Sequence, residues 1–426
     1  MIISGATHWK TGMQVDLFIH DGRIVEKQTN NTTEETLDAR GLIAFPGFID
    51  AHVHLREPGN SEKETWTTGT RAAARGGYTA VFDMPNTNPP LTSKTLLEEK
   101  RILSRHSLVN YGLHFALTAE NLSELERIKP RSVKIFLGRS TGNLFVDDAL
   151  LQKAFERLPG TLFLFHAEAE ACLKRFEGQY AGADDPAIHS AIRDRSCALE
   201  AIERVLELLR KHPRPVYFCH ISTKEEVALI KKAKADGLPV YAEVTPHHVF
   251  LDESAYATLG TLAKVNPPLR TAEDRAALLE AINDGTIDVL GTDHAPHLLQ
   301  EKKLPYPEAP AGMPGLETAA ALLFHAAKND LITHEIIGRI MSARPAEILG
   351  LRQKGDISVG KDADITLVDP SLSQRVCHED LQTKCRWSPW HGITLTGWPV
   401  TTIVAGVIVF HKGTFYPHQG KELYYA

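Results

Sequence analysis

The sequence predicts an α/β fold: a (β/α)8 barrel of TIM type carrying a small β-sandwich formed by both chain termini. Three observations predict it. Short apolar runs alternate with segments of helical periodicity over about 300 residues, enough for eight strand–helix units. Both ends of the chain instead carry β-branched runs and tight turns. The Gly-x-Gly-x-x-Gly phosphate loop that an open doubly wound sheet calls for after its first strand does not occur there.

Taken in order, Val15-Asp16-Leu17-Phe18-Ile19-His20, the turn Asp21-Gly22 and Arg23-Ile24-Val25 form a hairpin pattern. Barrel strands are expected at 44–53, 78–84, 110–117, 133–137, 161–165, 216–219, 240–244 and 288–290. Helical periodicity fills 62–75, 93–104, 187–209, 224–234 and 274–281. Beyond it, strands are expected at 363–368 and 400–410. The expected division is therefore a composite β domain from 1–45 and 355–426 around a catalytic barrel at 46–354.

Composition narrows the function classes. A net charge of −6 without a Lys/Arg run argues against a nucleic-acid partner. No apolar stretch reaches the roughly 20 residues needed to cross a bilayer, and the N-terminus lacks the basic and apolar regions of a signal peptide. The five cysteines are odd in number and scattered, which reads as free thiols in a reducing cytoplasm. The 20 histidines exceed what packing requires, so some are expected to do chemistry.

In such a barrel the active groups sit at the C-terminal strand ends. Strand one ends in His52-Val53-His54, whose imidazoles share a face by strand alternation. Strand four carries Lys134, strands five and six end at His166 and His220, and strand eight leads into Asp293. One strand-end histidine is commonly a packing residue; four with an aspartate point to metal. The count suits two ions, one on His52, His54 and Asp293 and one on His166 and His220. Two close dications need a shared anion. Burial of a lysine favours its neutral amine, which adds carbon dioxide to form a carbamate, so Lys134 is the preferred bridge. Asp147 and Asp148 are the rivals.

His52-Val53-His54-Leu55-Arg56-Glu57-Pro58-Gly59 and Asp83-Met84-Pro85-Asn86-Thr87-Asn88-Pro89 resemble the two signature stretches of the dihydroorotase family of amidohydrolases. Val265-Asn266-Pro267-Pro268-Leu269-Arg270, Thr292-Asp293-His294-Ala295-Pro296-His297 and residues 310–317 resemble later ones, so the likeness spans nearly the whole chain. The resemblance implies two zinc ions with Lys134 carboxylated by CO2. It also implies reversible hydrolysis of dihydroorotate to N-carbamoyl-aspartate in pyrimidine biosynthesis. A metal-bridging hydroxide would attack the ring carbonyl, with Asp293 as general base and then acid. Arg56, two residues beyond His54, suits a substrate carboxylate through paired hydrogen bonds. By resemblance Asn86 and His297 join that clamp and Asn266 contacts the ring. The implied partner is this small molecule, with a homodimer left open.

Other residues are set aside. His247 and His248 are expected behind the site, His294 facing away from it, Cys219 in the core, and Trp387 and Trp390 between barrel and sheet domain. The alternatives are a hydantoinase or allantoinase with the same metals and another ring, and a non-catalytic structural relative. Neither alternative ring needs a carboxylate clamp, and a structural relative would usually have lost ligands.

Overall fold

In a computed structural model describing residues 1–27, 35–139 and 144–423, eight parallel strands follow one another in chain order around a barrel. They are β1 (Phe48–Val53), β2 (Tyr78–Asp83), β3 (Asn110–Leu113), β4 (Ser132–Phe136), β5 (Leu162–His166), β6 (Val216–Phe218), β7 (Val240–Val244) and β8 (Val289–Leu290). β3 breaks at His114 and resumes at Phe115–Ala116, which pairs with β4. Val53 bridges in parallel to His294, and the His54 amide donates to the His294 carbonyl at 2.8 Å, closing the ring.

Alternation sorts each strand into an outer face against the helices and an inner face. Val133 and Ile135, Phe163 and Phe165, Val216 and Phe218, and Val240, Ala242 and Val244 belong to the outer apolar shell. Ile49, Ala51, Ala80, Phe82, Leu164, Tyr217 and Val289 form a separate inner cluster, below which Ala346, Leu349 and Leu351 pack. The same parity turns Lys134 and His166 into the barrel mouth, where both line one cavity.

Both termini build a nine-stranded sheet in which Ile43–Pro46 pairs antiparallel with Ile365–Arg375. The expected first strand at 44–53 is therefore two strands. It breaks at Gly47, where an added Cβ would lie 2.2 Å from Thr79 Oγ1. The first half joins the terminal sheet and the second enters the barrel.

A further expectation is corrected. Cys172 and Cys197 form a disulfide, brought together by helices Glu170–Gln179 and Arg195–Lys211, so not all five thiols are free. Cys219, Cys377 and Cys385 are unpaired. Trp387 packs with Tyr256, Val265, Leu269 and Met313 of the barrel loops, while Trp390 packs with Leu322, Leu395 and Trp398 at the junction with the sheet. Among the described residues no helix is long and apolar enough to cross a membrane.

Inner-face packing predicts opposite outcomes for two glycines. A Cβ on Gly112 of β3 would fall 2.0 Å from Phe82 Cε1, so Gly112→Ala should cost about 1–3 kcal/mol. Gly178, in the helix Glu170–Gln179, has nothing within 4 Å of the same atom. Gly178→Ala should gain about 0.5–1 kcal/mol. Urea unfolding of the two variants measures both.

Candidate metal centre

A cavity opens at the C-terminal end of the barrel, lined by His52, His54, Lys134, His166, His220 and Asp293 together with Arg56, Asn86 and Asn266. Nine of the ten predicted site residues thus meet at one place. His297, the tenth, stands behind Arg56, with its Nε2 3.2 Å from Arg56 Nη2, and lines an adjoining outer vestibule that shares Asn266.

The side chains reach this point by two routes. Strand parity delivers Lys134 and His166. Parity alone would turn His220 away, because Cys219 before it faces inward with the inner cluster. His220 instead adopts φ +38, which swings its ring into the cavity; Asp293 (φ +45) and Arg56 (φ +64) also occupy the left-handed region. Non-glycine residues pay strain there and are held by their surroundings.

Buried carboxylates do the holding. Glu243 of β7 accepts from His52 Nδ1 at 2.8 Å, from the His220 amide at 2.9 Å and from the Tyr217 hydroxyl at 2.7 Å. Gly291 leaves room for it, since a Cβ there would lie 2.3 Å from Glu243 Oε2. Asp50 accepts from the His52 amide at 3.0 Å and the Thr292 hydroxyl at 2.5 Å, yet burial pushes its pKa up to about 7. Glu168 faces His166 Nε2 at 2.8 Å and is itself gripped by Arg193. Burial opposes ionisation of Glu168, but Arg193 and His166 hold its pKa well below the usual carboxylate range.

These contacts decide which imidazole nitrogens remain free. Glu243 takes the His52 Nδ1 proton and Glu168 the His166 Nε2 proton, while Asn86 Oδ1 accepts from His54 Nδ1 at 2.7 Å. That leaves His52 Nε2, His54 Nε2 and His166 Nδ1 as lone-pair donors. The first two lie 3.3 and 3.0 Å from Asp293 Oδ1, and His166 Nδ1 lies 3.1 Å from His220 Nε2. One ligand atom each from His52, His220 and Asp293 falls within 4.8 Å of the others. His220 Nδ1 is buried without a partner among the described residues, so the protein alone leaves this imidazole unsatisfied.

The charge states of three of the four imidazoles agree with ligation. Burial lowers His54 to about 4, lowers His166, and takes His220 well below its ordinary value, so all three are neutral near pH 7. Burial opposes charge on His52, but Glu243 and Asp293 hold its pKa well above the ordinary imidazole value, so this ring alone must give up its Nε2 proton to bind a metal. Burial likewise opposes charge on Asp293, and His52 and His54 keep it ionised. Four imidazoles and one carboxylate form a donor set that fits zinc or a similar dication.

Lys134 lines the same cavity as the two histidine pairs. It is buried, donates to Cys219 Sγ at 2.9 Å, and has no carboxylate within ion-pair distance among the described residues. Asp147 caps the helix Asp148–Arg157 through the Leu150 amide, and Asp148 pairs with Arg204; neither lines the cavity. His294 turns away to Glu64 and the Gly315 amide. His247 and His248 lie buried behind the site, His248 bonded to Thr245 and the Pro267 carbonyl.

Sequence reasoning missed Glu243, Glu168, Asp50 and His189. Glu243 was visible as an acid on the inner parity of an otherwise apolar strand, and Asp50 and Glu168 as acids two residues from a ligand. His189 carried no such signal. Its Nε2 lies 2.9 Å from Asn266 Oδ1 and 3.0 Å from the Val265 carbonyl oxygen, and so braces Asn266 where it lines the cavity.

Glu243→Gln should therefore lower zinc affinity by about 10–100-fold while the protein stays folded. Competition with a chelator measures the affinity and circular dichroism the fold.

Residues 43–409 match the model of the amidohydrolase family. A dihydroorotase from Halobacterium salinarum is 37% identical over 425 residues, covering 96% of this chain and 98% of the relative. A dihydroorotase from Methanosarcina acetivorans is 35% identical over 423 residues, covering 95% and 90%. Among solved structures, an L-hydantoinase (dihydropyrimidinase) from Arthrobacter aurescens superposes with a TM-score of 0.93 at 28% identity, covering 98% of this chain and 97% of that one. With its strand-end histidines converging on one cavity, and with matches over nearly its whole length, the chain belongs to the amidohydrolase family.

Proposed function

We propose that this protein is a dihydroorotase, interconverting dihydroorotate and N-carbamoyl-aspartate in pyrimidine biosynthesis. The observation that carries the reading is a cationic rim directly beside the candidate metal set. The Arg56 guanidinium lines the cavity, anchored through Nε to the Pro296 carbonyl at 3.1 Å, with His297 against it and Asn86 alongside. A carboxylate on the ring suits that rim, and relatives at 35–37% identity bear the same activity in their names.

Two zinc ions, held by His52, His54, His166, His220, Asp293 and a carbamate on Lys134, would supply Lewis acidity and an acidified water. The residues do the rest. Asp293, ionised at rest, takes the proton of the attacking water and returns it to the ring nitrogen as the amide bond breaks. Arg56, Asn86 and His297 hold the ring carboxylate, which fixes the carbonyl carbon against the metal-binding side chains. Asn266 and the backbone of 310–315 contact the ring. In the closing direction the same groups act in reverse order.

The catalytic barrel is taken as 46–354 and the β domain as 1–45 with 355–426. A cytoplasmic location rests on the three unpaired cysteines, while the Cys172–Cys197 pair does not support it. A hydantoinase is the second reading, favoured by the superposition at a TM-score of 0.93.

Protein supplied with zinc and bicarbonate should hydrolyse dihydroorotate and leave hydantoin untouched; the reverse preference would establish the second reading. Lys134→Ala should lose the metal pair in elemental analysis, whereas Asp147→Ala should keep it. Arg56→Met should raise KM for dihydroorotate at least tenfold with metal content intact.

A further inference from the structure

Arg56 and His297 face each other with a hydrogen-bond conflict that a third residue resolves. His297 Nε2 has two polar neighbours, Arg56 Nη2 at 3.2 Å and the Ala311 carbonyl oxygen at 3.1 Å. The first can only donate and the second can only accept. A neutral imidazole carries one N–H and one lone pair, so Nε2 satisfies one neighbour or the other. The choice is made at the opposite nitrogen. Lys63 Nζ lies 3.3 Å from His297 Nδ1, held there by an ion pair with Glu301 Oε1 at 2.9 Å. An ammonium has no lone pair to offer, so Nδ1 must accept and the ring proton must sit on Nε2. The other acid near Nδ1, Glu301 Oε2, is 3.9 Å away, beyond hydrogen-bond reach, and already accepts from the Leu298 amide. His297 is neutral because burial lowers its pKa strongly, with Arg56 and Lys63 adding to the effect.

We infer that Lys63 is a positioning residue that sets the tautomer of His297, making its Nε2–H a second donor beside Arg56 for the substrate carboxylate. The inference rests on the proposed carboxylate-bearing substrate. Without Lys63 nothing requires Nδ1 to accept, so the proton can move to Nδ1, on the side of the Glu301 carboxylate, and Nε2 becomes an acceptor for Arg56 Nη2. The clamp would then satisfy itself: one Arg56 donor is spent on His297, and the histidine presents a lone pair to the incoming anion. With Lys63 in place neither donor is spent on the other. The Ala311 carbonyl holds the Nε2 proton until a carboxylate arrives, and Ala311 belongs to the loop that also lines the cavity.

The test uses zinc-loaded protein with 15N-labelled histidine, the His297 signals being identified by their loss in His297→Asn. Wild type should show the proton on Nε2 and Lys63→Met on Nδ1. Binding of dihydroorotate should weaken about 10–100-fold in Lys63→Met, with KM rising and kcat little changed. Dihydrouracil, the same ring without its carboxylate, should bind both proteins equally. Lys63→Arg, which keeps a cationic donor, should restore the tautomer and most of the affinity. An unchanged tautomer in Lys63→Met overturns the inference, as does an equal loss for both ligands. A wild-type protein that ignores dihydroorotate would refute the activity reading instead, while the nitrogen shifts would still decide what Lys63 does to His297.

Discussion

The carboxylate of Glu243 is the interaction on which the site depends. It is fully buried, and an isolated carboxylate in that position would cost several kcal/mol. Three donors offset the cost, one each from β1, from the tip of β6 and from the inner face of β6: His52 Nδ1, the His220 amide and the Tyr217 hydroxyl. One group therefore does two jobs. It fixes the tautomer of a candidate ligand on one side of the cavity. It also anchors the backbone turn that points a second candidate ligand inward from the other. Gly291, just after β8, completes the arrangement by lacking the atom that would occupy the carboxylate's space. Residues of β1, of β6 and of the end of β8 thus meet at this one side chain of β7.

That dependence explains what was legible in the sequence. Lys134 and His166 follow strand parity, so their direction could be read from alternating apolar residues in β4 and β5. His220 could not be placed in that way, because its orientation comes from a positive φ secured by Glu243, which is distant in sequence. His52 sits where the β1–β2 register shifts between Asp50 and Val53, so simple alternation does not describe it either. The break at Gly47 was hidden by apolar residues on both sides, since burial in the sheet and in the barrel select the same residue types. The Cys172–Cys197 pairing depends on how two helices pack, which spacing along the chain does not encode.

The fold and the specificity belong to different parts of the molecule. A superposition at a TM-score of 0.93 with a hydantoinase speaks for the barrel and the terminal sheet, which position the metal-binding side chains. It says little about the ring, because a shared scaffold hosts different substrates by changing loops. The groups proposed to distinguish a carboxylate-bearing ring lie on those loops. Arg56 follows β1, Asn86 follows β2, Asn266 follows β7, and His297 follows β8. In sequence Arg56 and His297 are 241 residues apart, yet they are in direct contact.

The loops in turn are braced by the segment that joins strands Ile365–Arg375 and Thr394–Val404 of the terminal sheet. Thr383 and the Lys384 amide bond to Glu64, which also receives His294. The Gln382 and Thr383 amides bond to Glu317, and Trp387 Nε1 donates to the His297 carbonyl at 2.7 Å. This segment thus ties the loop after β1, which carries Arg56 and Lys63, to the loop after β8, which carries His297. Glu64 and Glu317 are both buried, so cutting the segment away would leave two carboxylates without their amide donors. The terminal sheet is therefore coupled to the substrate rim through its connection. The chain's two ends, which build that sheet, contribute to the site without supplying a residue that lines it.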